Sequence, residues 1–284
     1  MLGMRQNLAL AGAFELKCLR DLSPQDLKAN QDDLPSVVRL KDVSFMFQTS
    51  NTQHPSFSQS RPSAIAPVNI IHLQDASVSF GKLHALRNVE LTIAKGEVVF
   101  VTGASGAGKT TLLRMLAGDL EPTSGKCQHP FRNGKELFVA RVFQDLRLIP
   151  ELTCEANLNI AYDPELYDSR KAFEKDKAEL CRVLGVSDRL ALKIKDANGG
   201  LQQKIAIIRT LLTKPDVLIA DEPTSALDAD NGKRLFEVLS YFNMKRGMTI
   251  IWATHDKELV KRFTGRILHL DAGRLVYSGH ACFI

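Results

Sequence analysis

Gly103-Ala104-Ser105-Gly106-Ala107-Gly108-Lys109-Thr110 sets three glycines ahead of a lysine and a hydroxyl, with Thr111 next in line. This is the full GxxxxGK[ST] spacing of a phosphate-binding loop. Gly103, Gly106 and Gly108 let the backbone bend so that successive N–H groups face inward. A following helix N-terminus adds about half a positive charge, so polyphosphate oxygens can be held without a large cationic cluster. In such a loop Lys109 reaches the β- and γ-phosphates and Thr110 offers its hydroxyl to Mg²⁺. Thr111 helps to hold the α-phosphate.

Two further stretches could complete this chemistry. The apolar run in "DVLIADEPTSALD" ends on Asp221 and Glu222. Side chains alternate along a strand, so at its end one acid can face a metal while the next faces the water in line with the γ-phosphate. Asp221 is therefore the expected Mg²⁺ partner and Glu222 the expected general base. Alone, such an acidic pair would read as a solvated turn; downstream of a phosphate loop it reads as chemistry. The third run, "TIIWATHD", ends at His255, a candidate sensor of the γ-phosphate.

These residues need rigid elements beneath them. "GEVVFVTGASGAGKTTLLRMLAGDL" predicts a turn at Lys95–Gly96, a buried strand Val98 to Thr102, the loop, and then a helix. Leu112, Leu113 and Leu116 share a face of that helix and Gly118 stops it. From Val68 onward strand-like runs alternate with helical segments, the texture of an α/β fold with crossover helices. Upstream, Thr49 to Pro67 is rich in Ser, Pro, Gln, Asn and Thr and reads as a flexible linker. Residues 1–67 thus form an N-terminal extension, partly disordered and without an assigned function. The echo of "VVRLKDVSF" in "IIHLQDASV" is too slight for a repeat architecture.

Composition narrows the function classes. The 284-residue chain is 44% hydrophobic, enough for a sizeable core, and no apolar run approaches the roughly 18 residues that span a bilayer. "LALAGAF" is short and followed at once by charge, so no signal peptide is expected. A net charge of +5, spread along the chain, offers no basic block for nucleic acid. The five cysteines form no CxxC pair, which argues against zinc and a disulfide framework.

Taken in order, Gly103 to Thr111, Gln144 in "VFQD", "GGLQQK" from Gly199, "LIADEPTSALD" and "ATHD" around His255 resemble the nucleotide-binding subunit of ABC systems over nearly all of Val68 to Gly279. The resemblance implies an α/β P-loop NTPase fold with a RecA-like core, a small antiparallel β-subdomain and a helical subdomain at about 145–200, within a domain of residues 68–284. It implies ATP and Mg²⁺ as ligands, Phe80 stacked on adenine, and Gln144 touching Mg²⁺ and the attacking water. Such cassettes form head-to-tail dimers, so Ser225 and Asp228 would meet the opposite P-loop, and Asn198, Gly199 and Gly200 would face the opposite γ-phosphate. The family's usual LSGGQ reads Ala197-Asn198-Gly199-Gly200-Leu201 here: Asn198 supplies an amide in place of a hydroxyl, Leu201 removes a polar group near the interface, and Lys204 replaces a frequent arginine.

Within the family, "VTGASGAGKTTLL", "VFQDLRLIPELT", "ADEPTSALD" and "IIWATHDKELVKRF" look most like the FtsE cell-division cassette and the lipoprotein-releasing and macrolide-export ATPases. The Lys109–Gln144 segment is short for that group, which should trim the antiparallel sheet. No C-terminal regulatory module of the sugar-importer kind is expected after "GRLVYSGHACFI". Helical sequence between Asp145 and Lys195 places Leu180, Val183 and Leu184 on one face, beside a groove for a coupling helix. The expected protein is a cytoplasmic ATPase, peripheral on the inner face of the cell membrane, homodimeric, and bound to an FtsX-like or exporter-type membrane partner. Two alternatives stay open: an exporter ATPase, and a nucleotide-gated interaction module that hydrolyses little because of its altered signature. A soluble cassette acting in repair or translation is disfavoured, since the chain shows one cassette and no nucleic-acid segment.

Overall fold

A computed structural model describes residues 68–280 except 130, 133–134, 257–259 and 262. The N-terminal extension and its linker lie outside the described residues. So do Cys18 and Cys282.

A short apolar strand, β3 (Val98–Thr102), is the centre of the fold. Val99, Phe100 and Val101 are fully buried, as expected of a strand covered on both faces by other elements. It stands in a six-stranded sheet of order β11-β10-β3-β9-β8-β7. Its members are β7 (Val139–Val142), β8 (Val217–Asp221), β9 (Thr249–Ala253), β10 (Arg266–Asp271) and β11 (Arg274–His280). The five strands from β10 to β7 run parallel, and β11 closes the edge antiparallel. Registry aligns the carboxyl ends. Thr102 lies level with His269, Val101 with Ala253, and Ala253 with Asp221.

The helix after the phosphate loop, α1 (Lys109–Leu116), buries Leu112, Leu113 and Leu116 completely, as their spacing predicts. A second, antiparallel sheet of order β2-β1-β4 packs into the same apolar cluster as α1. It comprises β1 (Asn69–Phe80), β2 (Leu83–Ala94) and β4 (Ser124–Gln128). The two-residue strands β5 (Phe131–Arg132) and β6 (Lys135–Glu136) form a small hairpin beside it.

The other face of the main sheet carries the second core. There Phe100 stacks on Phe236 with ring centroids 5.6 Å apart, and Trp252 lies 5.4 Å from the same ring. Helices α2 (Cys154–Asn159), α3 (Arg170–Val183), α4 (Gly199–Leu212) and α5 (Ala229–Arg246) bury their apolar stripes in this cluster. Leu180 of α3 and Leu184, which caps its C-terminus, are buried but Val183 is 39% exposed. The expectation of one shared face is corrected at Val183: Phe173, Leu180 and Cys181 define the packed stripe. Lys177 is buried as well, and its ammonium donates to Glu155 of α2 at 3.1 Å and Asn159 at 2.8 Å, tying the two lobe helices together. No helix among the described residues is long and apolar enough to cross a membrane.

Candidate nucleotide site

The loop leaving β3 takes its shape from its glycines. Gly103, Gly106 and Gly108 all have positive φ, a region costly for L side chains. At Gly108 a Cβ would also fall 2.6 Å from the Ala85 carbonyl oxygen, and at Gly103 one would fall 2.4 Å from that of Leu270. Those two positions have no room for any side chain, whereas Gly106 is governed by φ alone. Ala104 and Ser105 are exposed at the tip, Ala107 is buried with its N–H on the Ala104 carbonyl, and Thr111 is half-buried. The Gly273 amide donates to the Ala107 carbonyl at 3.1 Å, so the turn between β10 and β11 braces the loop from outside.

Lys109 opens α1 with its ammonium folded back over the loop, donating to the Gly103 carbonyl at 2.9 Å and the Ala104 carbonyl at 3.2 Å. An ammonium has three donors, so one remains for a phosphate oxygen. Thr110 donates its hydroxyl to the Asp221 carboxylate at 2.7 Å. A hydroxyl and a carboxylate held in contact are the hard oxygen ligands Mg²⁺ prefers, and Asp221 is largely buried, which keeps it aimed. These residues therefore fit the ion.

Glu222 stands one residue beyond β8 in a left-handed conformation, φ +49, unusual for a residue other than glycine. Its amide bonds the Ala253 carbonyl at 2.9 Å, and its carboxylate lies 2.8 Å from His255 Nδ1. His255 is 71% exposed, so this pair opens outward. Gln144 is exposed two residues past Val142, which pairs with Ala220 at the same end of the sheet. Thus the phosphate loop, Thr110, Asp221, Glu222 and His255 gather at the carboxyl ends of β3, β8 and β9, with Gln144 at their edge beyond β7. This is where open α/β sheets bind ligands. Phe80 is 48% exposed at the tip of the β1–β2 hairpin, paired across it with the exposed Leu83.

A second group forms around the start of α4. Asn198 caps this helix, its side-chain oxygen accepting from the Leu201 amide at 2.9 Å. Gly199 and Gly200 lie against Ala226, whose carbonyl oxygen would be 3.1 Å from a Cβ at Gly200. Ser225 is exposed beside them. Asp228 caps α5, its two oxygens accepting from the Asn231 amide and side chain at 2.8 and 2.7 Å, and these bonds hold its carboxyl below the usual range. Leu201 is 5% exposed and belongs to the apolar core. The expectation that it strips a polar group from an interface is corrected: its side chain faces inward. Lys204 is half-buried, and burial lowers its pKa.

Sequence reasoning missed Ala85, Leu270 and Gly273, whose backbones press on the loop. The Asp271-Ala272-Gly273 turn was readable as a turn, but not as a brace. It also missed His269, whose ring meets the Thr102 hydroxyl at 2.9 Å just ahead of Gly103.

Comparison with known proteins agrees with this fold. The sequence model of the family described as ABC transporter matches residues 86–225. Over 76% of its length the chain overlays all of an ATP-binding cassette solved as a dimer in a post-hydrolysis state with ADP and Pi, with TM-score 0.65 and 28% identity. This chain has the fold of an ABC cassette. Its cassette is 31% identical over 229 residues to the methionine import ATP-binding protein MetN of Mesorhizobium japonicum, covering 75% of this chain and 61% of that protein. MetN of Brucella abortus is 33% identical over 229 residues, with 77% and 61% covered. The chain thus spans about three-fifths of the length of these curated relatives.

Proposed function

We propose that the ABC cassette binds and hydrolyses ATP as the motor subunit of a membrane complex. The carrying observation is the set Lys109, Thr110, Asp221, Glu222 and His255 at one end of the sheet, in which Thr110 meets Asp221 at 2.7 Å and His255 meets Glu222 at 2.8 Å. The loop amides and the Lys109 ammonium grip the β- and γ-phosphates, and Phe80 stacks on the adenine. Magnesium, held by Thr110 and Asp221, would neutralise phosphate charge. Glu222 takes a proton from a water oriented by Gln144. As that water's oxygen bonds the γ-phosphorus, the bond from the bridging oxygen breaks, leaving ADP and phosphate. His255 holds the Glu222 carboxylate in place and shares the proton it gains.

A second copy completes the site. Its Asn198, Gly199 and Gly200 cover the γ-phosphate while its Ser225 and Asp228 meet the loop, as suits the exposed, outward-facing His255. The Asn198 side-chain oxygen is engaged as a cap, which leaves its amide N–H₂ to donate across the interface. A dimeric solved relative supports this arrangement. The cassette docks on a membrane protein, of FtsX or exporter type by the motif resemblance, or an import permease by the printed function of its methionine-import relatives. Co-purification from detergent-solubilised membranes identifies which.

The test is magnesium-dependent phosphate release by the purified chain. Glu222→Gln should abolish turnover and trap an ATP-bound dimer, and Lys109→Ala should abolish binding. Turnover that survives Lys109→Ala unchanged ends this reading.

A further inference from the structure

Gln144 rides on a turn that its own sequence does not favour. Leu146 and Arg147, consecutive residues with full side chains, both adopt positive φ, +57 and +45. L residues avoid this region, and two in succession hold it only when their surroundings impose it. Upstream, β7 anchors the turn through Val142. Downstream, the fully buried Asn157 accepts from the Ile149 amide at 2.8 Å and donates to the Ile149 carbonyl at 3.1 Å. Between these anchors, one guanidinium nitrogen of Arg209 donates to the carbonyls of Leu146 and Arg147, at 3.1 and 2.8 Å. Arg209 comes from the far end of α4, the helix whose first residues are Gly199 and Gly200.

We propose that Arg209 is a positioning residue that locks the left-handed turn at Leu146–Arg147, aims Gln144, and makes that turn move with the helix carrying the signature glycines. The proposal rests on the role given above to Gln144. Its physical content is that a charged donor on a rigid helix compensates two carbonyls that the turn forces to one side. Release of those carbonyls lets the turn relax and Gln144 drift, and displacement by about an ångström is enough to cost a large factor in rate. The ammonium of a lysine keeps the charge and the donors that these two carbonyls need.

The test uses the full chain, with Arg209→Gln, Arg209→Lys, Gln144→Ala and the Gln144→Ala/Arg209→Gln pair. Arg209→Gln should lower kcat about tenfold or more with KM for ATP little changed. Amide exchange should quicken at residues 145–148. Arg209→Lys should recover most of the rate. The paired variant should be no slower than Gln144→Ala alone, since a residue acting through Gln144 has nothing left to position. Losses that multiply in the pair, unaltered exchange at 145–148, or failure of lysine to rescue would overturn the proposal. Should Arg209→Gln not fold, Arg209→Met, of similar length but without a donor, takes its place in the cycle: faster exchange confined to 145–148 supports the proposal, and general loss of protection overturns it. A wild-type chain without magnesium-dependent turnover defeats the reading of the site and this proposal together, whereas normal turnover with multiplying losses defeats this proposal alone.

Discussion

Gly108, like Gly103, has almost no latitude in the phosphate loop, because it combines positive φ with a neighbouring carbonyl 2.6 Å from where a Cβ would be. Gly108→Ala should therefore remove measurable ATP binding in calorimetry while Gly106→Ala, strained but unobstructed, keeps a weakened heat of association. The described cysteines, Cys127, Cys154 and Cys181, are reduced, and burial pushes the Cys127 and Cys181 thiols up to about 11. Thiolate is the reactive form, so at neutral pH both should resist iodoacetamide in the folded protein, and peptide mass spectrometry should find them labelled only as the pH climbs past 10 or the chain is unfolded. Among candidate site residues, those with a fixed chemical grammar could be picked out: Gly103 to Thr110, Asp221, Glu222 and His255 come together at one end of the sheet. Arg209 and Gly273 were not, since their partners are backbone carbonyls and amides, and the sequence carries no mark of which carbonyl a distant N–H will meet.

At the scale of elements, the start of α4 shows both what pattern reveals and what it conceals. The glycines and the helix after them were readable, and Asn198 in front is a strong cap. Asn198→Ala should lower stability by about 0.5–2 kcal/mol in denaturant titration, and Asn198→Ser should restore most of it. Leu201 misled because its neighbours Gln202 and Gln203 suggest a polar turn, whereas its place at the third helical position points it into the core. Leu201→Gln should thus bury an amide without a matched partner and destabilise the protein by about 1–3 kcal/mol with no gain in turnover. A rise in kcat for that variant would show that the side chain faces the nucleotide after all. Helix α3 has the same lesson in reverse: an ideal helical wheel groups Val183 with Leu180, but the packed stripe is set by which neighbours arrive, here α2 and α4.

For the whole molecule, the alternation of strands and helices announced a parallel sheet, and the sheet is there, yet strand order was beyond the pattern. Only tertiary packing decides that β3 takes β9 and β10 as neighbours and leaves β7 at the rim. If two copies close over ATP, Glu222→Gln should shift the chain from monomer to dimer on size exclusion when ATP is added, and Lys109→Ala should not. The placement of β3 also dictates a timetable. Its flanking strands begin at Thr249 and Arg266, and the brace on its loop is Gly273, so both strand neighbours of β3 and that brace are encoded well downstream of the loop itself. A ribosome that has released the entire fingerprint motif has still released a segment with no one to hold it. Nucleotide capture by this protein therefore waits until residues 249–273 have been made, and chains stalled before residue 249 should emerge unable to retain ATP however faithful their glycines.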